Sequence, residues 1–454
     1  MTGAALGSGP QAGLGWVGIV RLGLVQASIG AIVMLVTSLL NRVMVVELGL
    51  LASIPAGLVA WHYAVQLSRP LWGHSSDRGG ERTFWIVGGM AVLALGALLA
   101  VNATILSATE AWSGLALGIL AFAMIGAGVG AAGTSLLALL ASAVAPERRP
   151  AAAAITWILM VAGIAGSAAL AGSLLEPFSM GRLAVVSGGI ALGALLLTLV
   201  AVRGVEAGVR RSMAQAPPVA SRQAPSLPFR EALRSVLDDR DARRFTAFVF
   251  VSMLAYSMQD LILEPYAGLA FAMTPGESTM LSGAQNGGVL AGMLFAGIAG
   301  SLFARRRRRP NELEGWIVGG CLGSALALAG LAASASYGPG WPLTLNVVLL
   351  GIANGVFAVA AIGAMMGLAG AGEGPSEGIR MGVWGAAQAI AFGLGGLIGA
   401  AGADVARWAA GSDATGFAIV FAAEAALFVC ATFLAVRRPN ALPTMSRPIA
   451  GDLA

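Results

Sequence analysis

Three short blocks hold most of the polar chemistry that falls inside long apolar runs. The first is Asn41-Arg42, with Glu47 five residues further on. The second is His62, Gln66 and Arg69, whose spacing of four and then three puts them on one face of a helix. The third is Gln259-Asp260 followed by Glu264-Pro265-Tyr266. Ionisable groups within an apolar span are costly, so each is a functional-site hypothesis by default. Asp260 and Glu264 stand four apart and face the same way on a helix. Two carboxylates so placed repel unless one holds a proton or an arginine answers them. Arg42 is the expected partner. The resulting network of Arg42, Glu47, Asp260 and Glu264 reads either as a clamp between helices or as a gate or ligand contact. Asn41, His62, Gln66 and Gln259 are the neutral candidates for ligand contact. His62 reads either as a histidine hydrogen-bonded between helices or as a nitrogen donor to a metal.

The blocks do not assemble into a bond-breaking device. The sequence offers no His/Cys metal cluster, no nucleophile with a partnered base, and no repeated pair of aspartates. Asp238-Asp239 is a single copy in an arginine-rich stretch. The chain is therefore expected not to be an enzyme.

The elements that position these residues follow from composition. The chain has 454 residues, 57% hydrophobic and 11% charged. An ordinary soluble chain carries about 25% charged residues, so this one is a polytopic membrane protein. About 20 apolar residues cross a bilayer. Apolar runs lie near 20–46, 54–71, 84–104, 115–144, 151–175 and 182–202, and again near 245–272, 279–304, 315–335, 342–370, 380–403 and 414–436. The expected fold is an all-α membrane protein of twelve transmembrane helices, six plus six. Its divisions are residues 1–202 (with a tail over 1–15), a linker over 203–244, a second half over 245–437 and a tail over 438–454. The linker contains Phe229–Phe245, which reads as an amphipathic helix on the membrane surface or as a soluble connector.

All 27 basic residues counted as Lys or Arg are arginine. With both termini cytoplasmic, every one except Arg42, Arg182 and Arg407 falls on the cytoplasmic side, a strong positive-inside pattern. The two halves echo each other at an offset near 220 residues: Gly126-Ala-Gly-Val-Gly in helix 4 matches Gly351-Ile-Ala-Asn-Gly in helix 10. Two parallel six-helix pseudo-repeats joined by a long linker resemble the major facilitator superfamily. The loop Gly73-His-Ser-Ser-Asp77-Arg78-Gly-Gly-Glu-Arg82 is similar to that superfamily's G-x-x-x-D-R-x-G-x-R pattern. On that resemblance Gly73, Asp77, Arg78 and Arg82 form a gating loop. Gly128-x-Gly130-x-x-Gly133 matches a dinucleotide fingerprint, but it sits inside an apolar helix and reads as helix packing.

Longer blocks carry a more specific resemblance. Leu40-Asn-Arg-Val-Met-Val-Val-Glu-Leu48, His62-Tyr-Ala-Val-Gln-Leu-Ser-Arg-Pro70, Trp72-Gly-His-Ser-Ser-Asp77 and Met258-Gln-Asp-Leu-Ile-Leu-Glu-Pro-Tyr266 are similar to the PucC/LhaA family of photosynthetic bacteria. The resemblance implies a light-harvesting assembly factor, a chaperone that binds bacteriochlorophyll and delivers it to antenna polypeptides and their core complex. It implies a place in the intracytoplasmic photosynthetic membrane. His62 would then be an axial ligand to the pigment's magnesium. A proton-coupled transporter or flippase of an amphipathic substrate is the alternative.

Overall fold

The computed structural model describes residues 14–69, 72, 82–144, 148–214, 238, 240–306, 312–370 and 377–436. Twelve main helices run through them: α1 (Trp16–Glu47), α2 (Ser53–Val65, extended by a 3-10 turn Gln66–Ser68), α3 (Arg82–Ser107), α4 (Ala111–Ala143), α5 (Arg149–Leu174), α6 (Met180–Val202), α7 (Arg240–Phe271), α8 (Pro275–Arg306), α9 (Glu312–Tyr337), α10 (Leu343–Gly370), α11 (Glu377–Ala410) and α12 (Asp413–Ala435). Ten of them are long and apolar enough to cross a membrane by length and composition alone. The other two are α2, which is short, and α8, whose first half carries Glu277, Ser278, Thr279, Ser282, Gln285 and Asn286. Gly73, Asp77 and Arg78 of the gating loop, and most of the expected amphipathic segment, lie outside the described residues.

Local signals set several ends. Ser179 caps α6 by accepting from the Arg182 amide (3.1 Å), and Ser412 caps α12 by accepting from that of Thr415 (3.4 Å). Gly411 ends α11 at φ 63°, a conformation that only a residue without Cβ adopts cheaply.

The helices pack as two halves with the same internal pattern. In the first half α1 packs on α5 and α6, α2 on α4, and α3 on α4 and α6. In the second half α7 packs on α11 and α12, α8 on α10, and α9 on α10 and α12. Between the halves, α2 packs on α11 and α5 on α8, while α1 meets α7. This is the architecture of the major facilitator superfamily. Apolar side chains such as Leu95, Leu326 and Phe433 cover the outside, as a surface facing lipid requires.

Repetition reaches single residues. Arg21 of α1 donates to the carbonyls of Val200, Ala201 and Arg203 at the end of α6. Arg244 of α7 donates to those of Phe433, Leu434 and Val436 at the end of α12. Each guanidinium satisfies orphan carbonyls at a helix C-terminus, where the dipole favours a cation. The step from 21 to 244 is 223 residues, and it is also the step from His62 to Gln285. A Cβ on Gly126 would lie 2.5 Å from the His62 carbonyl, and one on Gly351 would lie 2.1 Å from that of Gln285. Both glycines let backbones touch. Gly128 does the same against Leu93 of α3, where a Cβ would meet the amide nitrogen at 2.6 Å, so its fingerprint match is helix packing.

Candidate ligand site between the two halves

The Asn41–Glu47 block lies where α1 is wound abnormally. Two π turns, Leu35–Leu39 and Val43–Glu47, interrupt the α-helix. In an α-helix residues five apart diverge, but a π turn brings i and i+5 into line. Glu47 therefore stacks over Arg42 and forms its ion pair. Arg42 is 2% exposed and also donates to Ser278 Oγ (3.1 Å) and to the Met273 carbonyl (2.6 Å). The Arg42 guanidinium thus ties α1 to α8 and to the loop between α7 and α8.

The expected pairing of Arg42 with Asp260 does not form. Arg42 is directed away from the linker side, toward Met273, while Asp260 lies eleven residues before the end of α7, ~16 Å along the axis. Glu264 is answered by hydroxyls: Ser38 donates to it, Thr279 reaches its other oxygen at 3.5 Å, and Ser282 stands 3.0 Å from Ser38. Asn41 donates to the Leu261 carbonyl (2.7 Å). Further out, Asp404 of α11 accepts from the amides of Ala52 (3.0 Å) and Ser53 (2.8 Å) at the start of α2, and Thr274 donates to Glu176. The halves are tied together on the side opposite the linker.

The four neutral candidates are all buried. Asn41 and Gln259 are 1% and 0% exposed, and His62 and Gln66 are 2% and 7%. Gln66 donates to His62 Nε2 (2.7 Å) and accepts from Arg69. His62 Nδ1 is sealed and has no partner among the described residues, as is true of both amide atoms of Gln259. His62 is thus a histidine hydrogen-bonded inside α2, with neither ring nitrogen presented to an open surface. Arg82 donates to the Ala138 carbonyl (2.5 Å), and Glu206 accepts from the amides of Arg82 (3.0 Å) and Thr83 (2.9 Å), capping α3.

The groups that remain open belong to other residues. Asp260 is half-buried, with no hydrogen bond or ion pair among the described residues. It lies within electrostatic reach of Tyr63 on α2 and Tyr256 on α7. Both tyrosines are half-buried, and their hydroxyls have no partner among the described residues. Phe392 of α11 joins them, with ring centroids 6.0 Å from Tyr63 and 5.9 Å from Tyr256. Tyr63 comes from the first half and the other three from the second. The composition held a signal for this: the chain has four tyrosines, and two of them meet here.

These features define a polytopic membrane protein of the major facilitator fold, with a polar and aromatic surface between its halves. The chain belongs to the PUCC protein family, whose model matches residues 39–439. It is 53% identical over 422 residues to the Bacteriochlorophyll synthase 44.5 kDa chain of Rhodobacter capsulatus, covering 93% of this chain and 95% of that protein. It is 29% identical over 436 residues to Protein PucC of the same organism, covering 92% and 91%. Among solved structures it is similar to a bacterial homologue of the human lysosomal transporter Spinster, inward-facing and unoccupied. There the TM-score is 0.68 at 13% identity, over 94% of this chain and 97% of that one, a likeness of fold.

Proposed function

We propose that this protein is a light-harvesting assembly factor that binds bacteriochlorophyll and delivers it to antenna polypeptides, without itself catalysing a reaction. The observation that carries the reading is the surface between the halves. Rings of Tyr63, Tyr256 and Phe392 meet across the halves within electrostatic reach of Asp260, a carboxylate with no partner among the described residues, in a chain whose 53% identical relative bears a bacteriochlorophyll name. A flat macrocycle suits such walls, because aromatic faces stack on it over a large area. In this reading both termini and the arginine-rich linker lie in the cytoplasm and the protein sits in the photosynthetic membrane. The antenna polypeptides and their core complex are the partners. Deletion of the gene in its native host tests the reading. Antenna absorption should fall while newly made bacteriochlorophyll can still be extracted. Loss of the pigment itself, with a precursor accumulating, would instead indicate an enzyme of pigment synthesis.

A second reading has one observation in its favour. Glu424 of α12 is fully buried, and neither carboxyl oxygen has a partner among the described residues. A buried acid of this kind suits a proton-coupled transporter or flippase of an amphipathic pigment. Proton uptake by proteoliposomes that is driven by added pigment and lost in Glu424→Gln would favour it.

A further inference from the structure

We infer that Asp260 is the group that holds the metal centre of the bound tetrapyrrole, with Tyr63, Tyr256 and Phe392 forming the walls around the ring. The inference rests on the pigment-binding reading above and names the contact residues of that same site.

Four observations converge. First, a carboxylate in a membrane-spanning bundle normally finds an arginine or several hydroxyls, as Glu47 and Glu264 do here. Asp260 has neither among the described residues, and it is only half-buried. A charged carboxylate so placed is costly until a proton or a cation completes it, and a bound metal centre supplies the cation. Second, magnesium is a hard cation that takes oxygen donors, so a carboxylate oxygen is a competent ligand for it. The histidine that the resemblance suggested has Nε2 committed to Gln66 and Nδ1 sealed. Third, the Tyr63 and Tyr256 hydroxyls have no partner among the described residues and lie within electrostatic reach of Asp260. They are donors in want of acceptors, and a tetrapyrrole carries carbonyl groups at its rim. Fourth, the rings of Tyr63 and Phe392 approach from opposite halves, 6.0 Å between centroids. Movement of the halves would therefore open or close the walls, coupling cargo release to the rocking that this fold permits.

The test compares full-length wild type with Asp260→Asn, Asp260→Glu and the double variant Tyr63→Phe/Tyr256→Phe. Each is purified from a bacteriochlorophyll-producing membrane and read by near-infrared absorption per protein. Wild type is expected to carry pigment, Asp260→Asn to lose it while remaining monodisperse, and Asp260→Glu to retain part of it. The tyrosine pair should keep pigment with a shifted band, because the rim hydrogen bonds are lost while the metal contact stays. A pigmented Asp260→Asn protein would overturn the assignment and leave the pigment-binding reading intact. A colourless wild type would overturn that reading, and this inference with it. Should Asp260→Asn fail to fold, resonance Raman spectra of pigmented wild type decide. Isotope-labelled aspartate should shift the metal–ligand bands, and a shift with labelled histidine instead would contradict the assignment.

Discussion

Asn41 of α1 donates to the carbonyl of Leu261 on α7 at 2.7 Å. That carbonyl lies four residues before Pro265, which has no amide hydrogen to offer it. A side chain of one half therefore fills the vacancy that a proline opens in the other. Asn41→Ala should leave a buried carbonyl unsatisfied and cost about 1–3 kcal/mol. In a Pro265→Ala background the helix supplies its own donor, so the same substitution should cost much less. A double-mutant cycle on thermal unfolding in detergent measures this, and strictly additive effects would contradict it.

The Arg42–Glu47 pair predicts an asymmetry. Arg42 is 2% exposed, whereas the Glu47 side chain is 32% exposed. Removing Glu47 strands a buried cation and should cost about 3–5 kcal/mol. Removing Arg42 leaves a carboxylate that can turn to water, but it also deletes the bonds to Ser278 and the Met273 carbonyl and opens a buried void, so the loss should be larger. Thermal unfolding of Glu47→Ala and Arg42→Ala gives the order. The Arg42→Ala and Asp260→Ala effects should simply add, and strong coupling between them would contradict the observed geometry.

Asp404 holds the first amides of α2 from across the divide between the halves. Such a cap is worth about 1 kcal/mol, so Asp404→Ala should shift the closed side toward opening by about fivefold in population. A cysteine introduced at Ser53 should then label faster with a charged thiol reagent. Unchanged labelling would mean that the cap does not hold the halves together.

Glycine substitutions separate contact from freedom. A Cβ at Gly351 would lie 2.1 Å from the Gln285 carbonyl, whereas one at Gly57 meets nothing within 4 Å. Gly351→Ala should loosen α8 from α10 and cost about 1–3 kcal/mol. Gly57→Ala should be tolerated. Equal unfolding temperatures for the two variants would argue against close backbone packing at Gly351.

The helices were legible because apolar length needs no partner to be recognised. The repeat was legible at Gly126 and Gly351, since small residues recur where backbones touch. The polar contacts were not. The placement of Glu47 over Arg42 depends on a π turn that side-chain spacing counted at 3.6 residues per turn does not reveal. Arg21 and Arg244 looked like topology signals, because a helix-end contact across the bundle leaves no local pattern. His62 and Gln259 drew attention as rare polar types, yet they are sealed. Nothing in the spacing marks Tyr63 and Tyr256, whose hydroxyls have no partner among the described residues.

The central claim is that this protein holds bacteriochlorophyll between its halves. Its most direct test is the near-infrared absorption of the wild-type protein, purified from its native membrane in mild detergent and freed of antenna complexes. A bacteriochlorophyll band that co-elutes with the protein at a fixed ratio is the predicted result. A colourless, monodisperse protein that takes up no added bacteriochlorophyll would contradict the claim.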